Sequence, residues 1–397
     1  MNLILAARRA RIADIDAKVL ELQRSIQFLQ EDRAPLQDDL DAYRYPVLTL
    51  PPEIVAEIFM HFLPGYPHPA PTTGLDSPTV LTQVCQTWRQ LALSTPSLWR
   101  AVTLCVEKTD IPPQDGQLLL MTAASLARSG SCSLSVELIS ERPGWRGLDP
   151  FVDLITTYSN RLEHLKLRSS PSLLRLINGP LVSLRCLTLC TWKELYDDPH
   201  LQLSAPLLQK VAIQHYHTAL RALIPWAQLT VLVIASIPSQ QCGRVLALAV
   251  NLVYCEFTIS RQTQESSAST PLTMHHLETL VLRVQWPKSY PVLGLIDVLT
   301  LPALIRLNIT EVLLEPSPTI TLSQFISRSG CRLQKIHLTE ASVLADDYHQ
   351  AVPTAEFSSS RWENPLSLFY AQSRDAEETL DLDDIENVEW EGDLNDW

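Results

Sequence analysis

At 397 residues, 46% of them apolar and 19% charged, the chain is too long for one ordinary hydrophobic core and too apolar to stay unfolded. The net charge is −13, but eleven acids and no Lys or Arg follow Arg374, so the body is nearly neutral and lacks the basic face that drives nucleic-acid binding. No apolar run approaches the roughly 18–20 residues of a membrane span, so no membrane partner is expected.

Residues 1–44 read as a heptad or amphipathic helix. Ile12, Ile15, Val19, Leu22, Ile26 and Leu29 recur at alternating steps of three and four, and Leu36 and Leu40 keep the phase beyond Arg33. Pro35 is expected to kink or end the regular part. Such a helix either folds back on its own protein or self-associates through residues 5–40. The apolar start Leu3–Ala7 is too short for a signal-peptide core, and its arginines follow rather than precede it.

Residues 45–105 read as a small helical module. Pro51 and Pro52 fix the entry to a helix, and Glu53 suits its positive end. Ile54, Val55, Ile58, Phe59 and Phe62 form one apolar face. Residues 64–78 read as a Pro-, Gly- and Thr-rich loop. Val80, Leu81, Val84, Cys85, Trp88, Leu91 and Ala92 then sit at helical spacing, before Pro96 and Leu98-Trp99.

Residues 106–374 read as a repeat array with irregular ends. The pattern L-x-x-L-x-L, with aliphatic substitutions, starts at Leu162, Leu184, Leu208, Leu229, Leu252, Leu277, Leu304 and Leu333, at intervals of 22, 24, 21, 23, 25, 27 and 29 residues. Short helical or turn segments are expected between the strands, at 173–177, 218–224 and 324–329, with Leu134, Val136 and Leu138 in a first irregular strand. The fold class is therefore α/β, with a parallel sheet on the inner side of an uneven horseshoe. Residues 375–397, which include Trp390 and Trp397, read as a flexible acidic tail.

The module at 45–105 carries a resemblance. The run Leu50-Pro51-Pro52-Glu53-Ile54-x-x-x-Ile58-Phe59, then Val84-Cys85-x-x-Trp88-Arg89-x-Leu91-Ala92, then Thr95-Pro96-x-Leu98-Trp99 resembles an F-box, closest to the F-box-like families expanded in fungi. The loop at 64–78 is longer than in compact F-boxes. The resemblance implies docking to the Skp-type adaptor of cullin–RING ubiquitin ligases, and through it to a cullin. The residues it assigns to that contact are Leu50, Pro51, Ile54, Ile58, Phe59, Val84, Cys85, Trp88, Leu98 and Trp99.

In a leucine-rich solenoid the strand residues between the core leucines face the concave sheet. Here they form a mixed surface that suits a protein client. Its candidate contacts are Lys166, Arg168, Thr188, Gln214, Glu256, Arg283, Asn308 and His337.

Signals for chemistry are weak. The sequence has no P-loop, no G-x-G-x-x-G and no G-x-S-x-G. The eight cysteines form no C-x-x-C pair, which fits a reducing cytoplasmic or nuclear setting. His215 and His217 could ligate a metal from a strand but have no convincing third partner, and Asp197-Asp198 reads as a solvated loop. No catalytic residue, cofactor or metal is expected. The sequence points to a non-enzymatic substrate receptor of a ubiquitin ligase. The alternative is an interaction scaffold in which the F-box-like helices pack on the solenoid and the N-terminal helix self-associates.

Overall fold

The computed structural model describes residues 2–42, 49–106, 113–140, 149–169, 176–191, 203–216, 220–260, 271–284, 294–339, 345–353 and 355–358. The acidic tail 375–397, residues 359–374, Ser170-Pro171, Leu173, Leu174, Asp197-Asp198 and His217 lie outside the described residues. The chain divides into two compact units, Met1–Ala101 with Ala124–Gly130, and Val102–Ala123 with Ser131–Trp397.

The first unit opens with α1 (Asn2–Ala42), which runs through Pro35 rather than ending there. A proline inside a helix removes one hydrogen bond and crowds one carbonyl. On a helix whose side chains from 5 to 40 are all exposed, no neighbouring element is disturbed by the resulting adjustment. Next comes α2 (Pro52–Phe62), with Pro52 in the first turn, where its missing N–H costs nothing.

The apolar run at 80–92 divides into two helices. In the short α3 (Pro78–Leu81), the buried Ser77 caps the N-terminus by accepting a hydrogen bond from the Thr79 N–H at 3.2 Å. The backbone is extended at Cys85 (φ −156°, ψ 172°), which ends the run and starts α4 (Gln86–Ser94). Its thiol accepts from the Trp88 N–H at 3.4 Å. A cysteine at N-cap is a weak signal beside Ser or Asp, so the break was invisible in the periodicity.

Val55, Phe59, Leu81, Ala92, Leu98 and Trp99 form the core of this unit. The turn Pro96–Trp99 delivers Trp99 into it, where the indole Nε1 donates to the Ala92 carbonyl at 2.8 Å. The Arg128 guanidinium sits 4.7 Å from the Trp99 ring centroid. The long loop is tied down: Ser77 Oγ donates to the Thr72 carbonyl at 3.0 Å, and Arg100 lies 4.0 Å from the Tyr66 ring centroid.

The chain continues as β1 (Ala101–Val106), α5 (Pro113–Arg128), β2 (Leu134–Ser140), α6 (Asp149–Thr156), β3 (Leu162–Ser169), β4 (Gly179–Pro180), β5 (Cys186–Thr191), β6 (Leu203–Ser204) and β7 (Lys210–Ile213). Then follow α7 (Leu220–Leu223), β8 (Val231–Pro238), α8 (Ser239–Leu248), β9 (Tyr254–Ser260), β10 (Leu272–Thr273), β11 (Thr279–Val284), α9 (Leu295–Val298) and β12 (Leu299–Thr300). The series ends with β13 (Arg306–Thr310), α10 (Pro318–Ser329), β14 (Lys335–Thr339), α11 (Ala345–Ala351) and β15 (Glu356–Ser358).

Among the described residues, eleven strands make one sheet in chain order, β1-β2-β3-β5-β7-β8-β9-β11-β13-β14-β15, and β4/β6 and β10/β12 make two separate short pairs. From β2 to β15 the sheet neighbours are parallel. Residues 101–106 thus form a sheet strand, although the sequence placed most of them in the helical module.

The register follows the leucine spacing. Leu165, Leu187, Val211, Leu232, Cys255, Leu280, Leu307 and Ile336 align across the strands. The row two residues on, from Leu167 to Leu338, aligns likewise, and no member of either row is more than 6% exposed. Period-two alternation puts both rows on one face, where they share a core. α10 starts six residues before the expected segment and stops at Gly330, whose positive φ of 63° lets its N–H reach the Ile326 carbonyl at 2.8 Å. At the last strands, the buried Tyr348 hydroxyl donates to the buried Glu311 carboxylate at 2.6 Å.

Candidate functional site

The first candidate surface is the outer side of α2. Val55 and Phe59 point into the core, while Ile54 (50% exposed), Ile58 (43%) and Phe62 (43%) form an i, i+4, i+8 stripe in solvent. Leu50 extends the stripe at its start, and Pro51 is exposed beside it. A cleft of about 380 Å³ opens next to them, lined by Leu50, Pro52, Val55, Trp88 and Leu91 among others. Trp88 meets Phe59 edge-to-face at a centroid distance of 4.9 Å. Its buried Nε1 has no hydrogen-bond partner among the described residues. An unmet buried donor costs about 1–3 kcal/mol, so the Trp88 ring is held there by apolar contact.

This geometry divides the ten residues assigned to adaptor contact. Leu50, Pro51, Ile54, Ile58 and Val84 are exposed, and Cys85 and Trp88 are half-buried. Phe59, Leu98 and Trp99 are at most 2% exposed. Those three hold the unit together and do not offer a contact surface. The resemblance assigns all ten alike, and only the packing of α2 on α4 and on the turn Pro96–Trp99 separates the inward from the outward ones. Phe62, absent from the assigned set, belongs to the exposed stripe, and its i+4 spacing from Ile58 was the available signal.

The second candidate surface is the sheet row between the two leucine rows. Glu137, Lys166, Thr188, Ala212, Val233, Glu256, Val281, Asn308 and His337 stand in one cross-strand register. Lys166 pairs with Glu137 at 2.6 Å. Glu256 accepts from Tyr254 Oη at 2.8 Å and pairs with Arg283 at 3.2 Å.

Of the eight assigned client contacts, Lys166, Arg168, Gln214 and Arg283 are half-exposed, whereas Thr188, Glu256, Asn308 and His337 are buried. Strands about 4.8 Å apart bring side chains at equal register into mutual contact, which covers Thr188 and Asn308, while Glu256 is held down by its bonds to Tyr254 and Arg283. Beyond this row the register breaks, shifting between Ile234 and Ile237 where β8 pairs with β9.

Several buried thiols and two histidines on this unit are shifted toward their neutral forms. Burial pushes the Cys186 thiol up to about 11 and Cys242 up to about 12, and raises Cys190 and Cys255 as well. Thiols so shifted are poor nucleophiles at neutral pH. Burial lowers His215, and also His337, the latter against an opposing hydrogen bond from the imidazole to the Ser358 backbone. Among the described residues no three His, Cys, Asp or Glu side chains converge as a metal site, and no helix is long and apolar enough to cross a membrane.

The arrangement therefore offers two surfaces for macromolecular contact, one an apolar stripe and cleft, the other a half-covered polar row. No model of a known protein family matches this sequence, and no curated protein is significantly similar to it.

Proposed function

We propose that the chain is a substrate receptor of a cullin–RING ubiquitin ligase. In this reading residues 49–100 act as an F-box, and the outer side of α2, with Val84, docks a Skp-type adaptor. The sheet acts as a leucine-rich solenoid that holds a protein client, through Lys166, Arg168, Gln214 and Arg283. The chain supplies proximity and does no chemistry of its own.

The observation that carries the proposal is the exposed stripe Leu50, Ile54, Ile58 and Phe62 beside an apolar cleft on a unit that already has a complete core. Clustered apolar side chains on a folded surface mark an interaction site. Their place within the sequence that resembles an F-box supports the adaptor as the occupant.

The test is direct binding of the full chain to a purified Skp-type adaptor, with Ile54→Asp/Ile58→Asp as the control. Binding by the wild type and its loss in the variant, with thermal stability unchanged, is the expected result. Absence of wild-type binding overturns the reading. For the client surface, Lys166→Glu/Arg168→Glu is expected to abolish recruitment of a proven client, and unimpaired recruitment removes that face from the proposal.

A further inference from the structure

The seam of α1 is the largest apolar feature that the proposed function does not use. Every side chain from Leu5 to Leu40 is exposed, including Ile12 at 58%, Leu22 at 62%, Ile26 at 54% and Leu29 at 61%. An isolated helix gains little from propensity alone, and most helical stability in proteins comes from burying an amphipathic face. This helix buries no such face against the described residues of its own chain.

The heptad pattern says what covers it. With Ile12 at position a, the a series continues as Val19, Ile26, Arg33 and Leu40, and the d series as Ile15, Leu22, Leu29 and Leu36. The a and d positions together form a narrow apolar stripe of the kind that a coiled-coil partner covers. The seam from Ile12 to Leu40 spans about four heptads, interrupted at one a position by Arg33.

Charge sets the direction. Parallel pairing in register stacks Arg33 on Arg33 and Arg8 on Arg8 inside the seam. It also leaves the flanking Lys18 and Asp32 opposite Gln23 and Gln37, so that only Arg11, facing Asp16, gains an opposite charge. Antiparallel pairing about Arg24 places Arg33 against Ile15, and Arg8 against Leu40, of the second copy. It then sets Arg11 opposite Asp39, and Lys18 opposite Asp32, each twice by the two-fold axis.

We propose that two copies of this chain pair through α1 as an antiparallel two-stranded coiled coil. The occupant of the exposed seam is thus a second α1. Residue 42 of each copy then leaves from opposite ends, on the order of 54 Å apart at 1.5 Å per residue. The pairing stands whether or not the chain joins a ligase.

Sedimentation equilibrium of the full chain at micromolar concentration and low salt tests it. The expected mass is twice 44.6 kDa. Ile26→Asp is expected to give the monomer, with the near-ultraviolet signal and thermal transition of the sheet unchanged. Lys18→Glu creates two like-charge contacts across the seam and loosens the dimer by about four- to thirtyfold. Lys18→Glu/Asp32→Lys exchanges the charges and restores it. A monomeric wild type, or a dimer untouched by Ile26→Asp, overturns the pairing. A dimer that Lys18→Glu does not weaken overturns the antiparallel direction.

Discussion

The helical unit around Trp99 and the parallel sheet from β2 to β15 are built from the same aliphatic residues but dispose of them differently. In the sheet each leucine row is covered by the next strand in chain order, and members of both rows are at most 6% exposed. The helical unit closes a core of six residues and leaves the other side of α2 in water. Size explains the difference, because a module of about 50 residues buries only about 60% of its unfolded surface. A small unit keeps apolar surface for a partner, whereas a stacked array consumes it internally.

Core deletions should be the harshest test of that contrast, and should act on both sides of it. Trp99→Ala removes a buried ring, its bond to the Ala92 carbonyl and its contact with Arg128, and Phe257→Ala empties the middle of a leucine row. Each is expected to cost about 3–5 kcal/mol in chemical denaturation. A cost under about 1 kcal/mol for either would mean that the core is misassigned.

Glu256→Ala should have a smaller effect, about 1–2 kcal/mol, because it strips Tyr254 Oη of its acceptor and Arg283 of its partner. Smaller again is Ile58→Asp, expected within about 0.5 kcal/mol of wild type in stability while adaptor binding is lost. A large stability loss there would place Ile58 in a core and erase the contrast.

The gentlest probe is pH. Burial holds His215 and His337 below the usual imidazole value, so the unfolded chain binds protons first. Stability supplied by the neutral rings is complete above pH 6.5 and is lost as pH falls through their lowered folded values. Thermal melts from pH 7.5 downward should show this decline, and His337→Gln should flatten it. A slope unchanged by that substitution assigns the decline to other groups.

Much of the sheet was legible because its signal is repetitive. Eight pattern starts predict eight registered strands, and all eight of those leucines are at most 3% exposed. The helical unit was legible as helices but not as surface and core, since Ile58 and Phe59 are adjacent, alike in chemistry and opposite in direction. The break at Cys85 depends on a thiol cap that propensity does not register. Burial of Thr188, Asn308 and His337 arises from cross-strand neighbours more than twenty residues away, which no local window contains. The helical face of α1 was readable, but its emptiness is a tertiary fact.

The sheet's chain-order topology also determines how the molecule comes apart. Each strand touches only those immediately before and after it, so sequence separation between contacts stays near one repeat however long the array grows. Cooperativity is then nearest-neighbour in kind, and β15, three residues long and, among the described residues, bonded on one side only, marks where fraying begins. Such an array tolerates the gain or loss of whole repeats during evolution more readily than a change within one, because duplication extends a ladder without rewiring it.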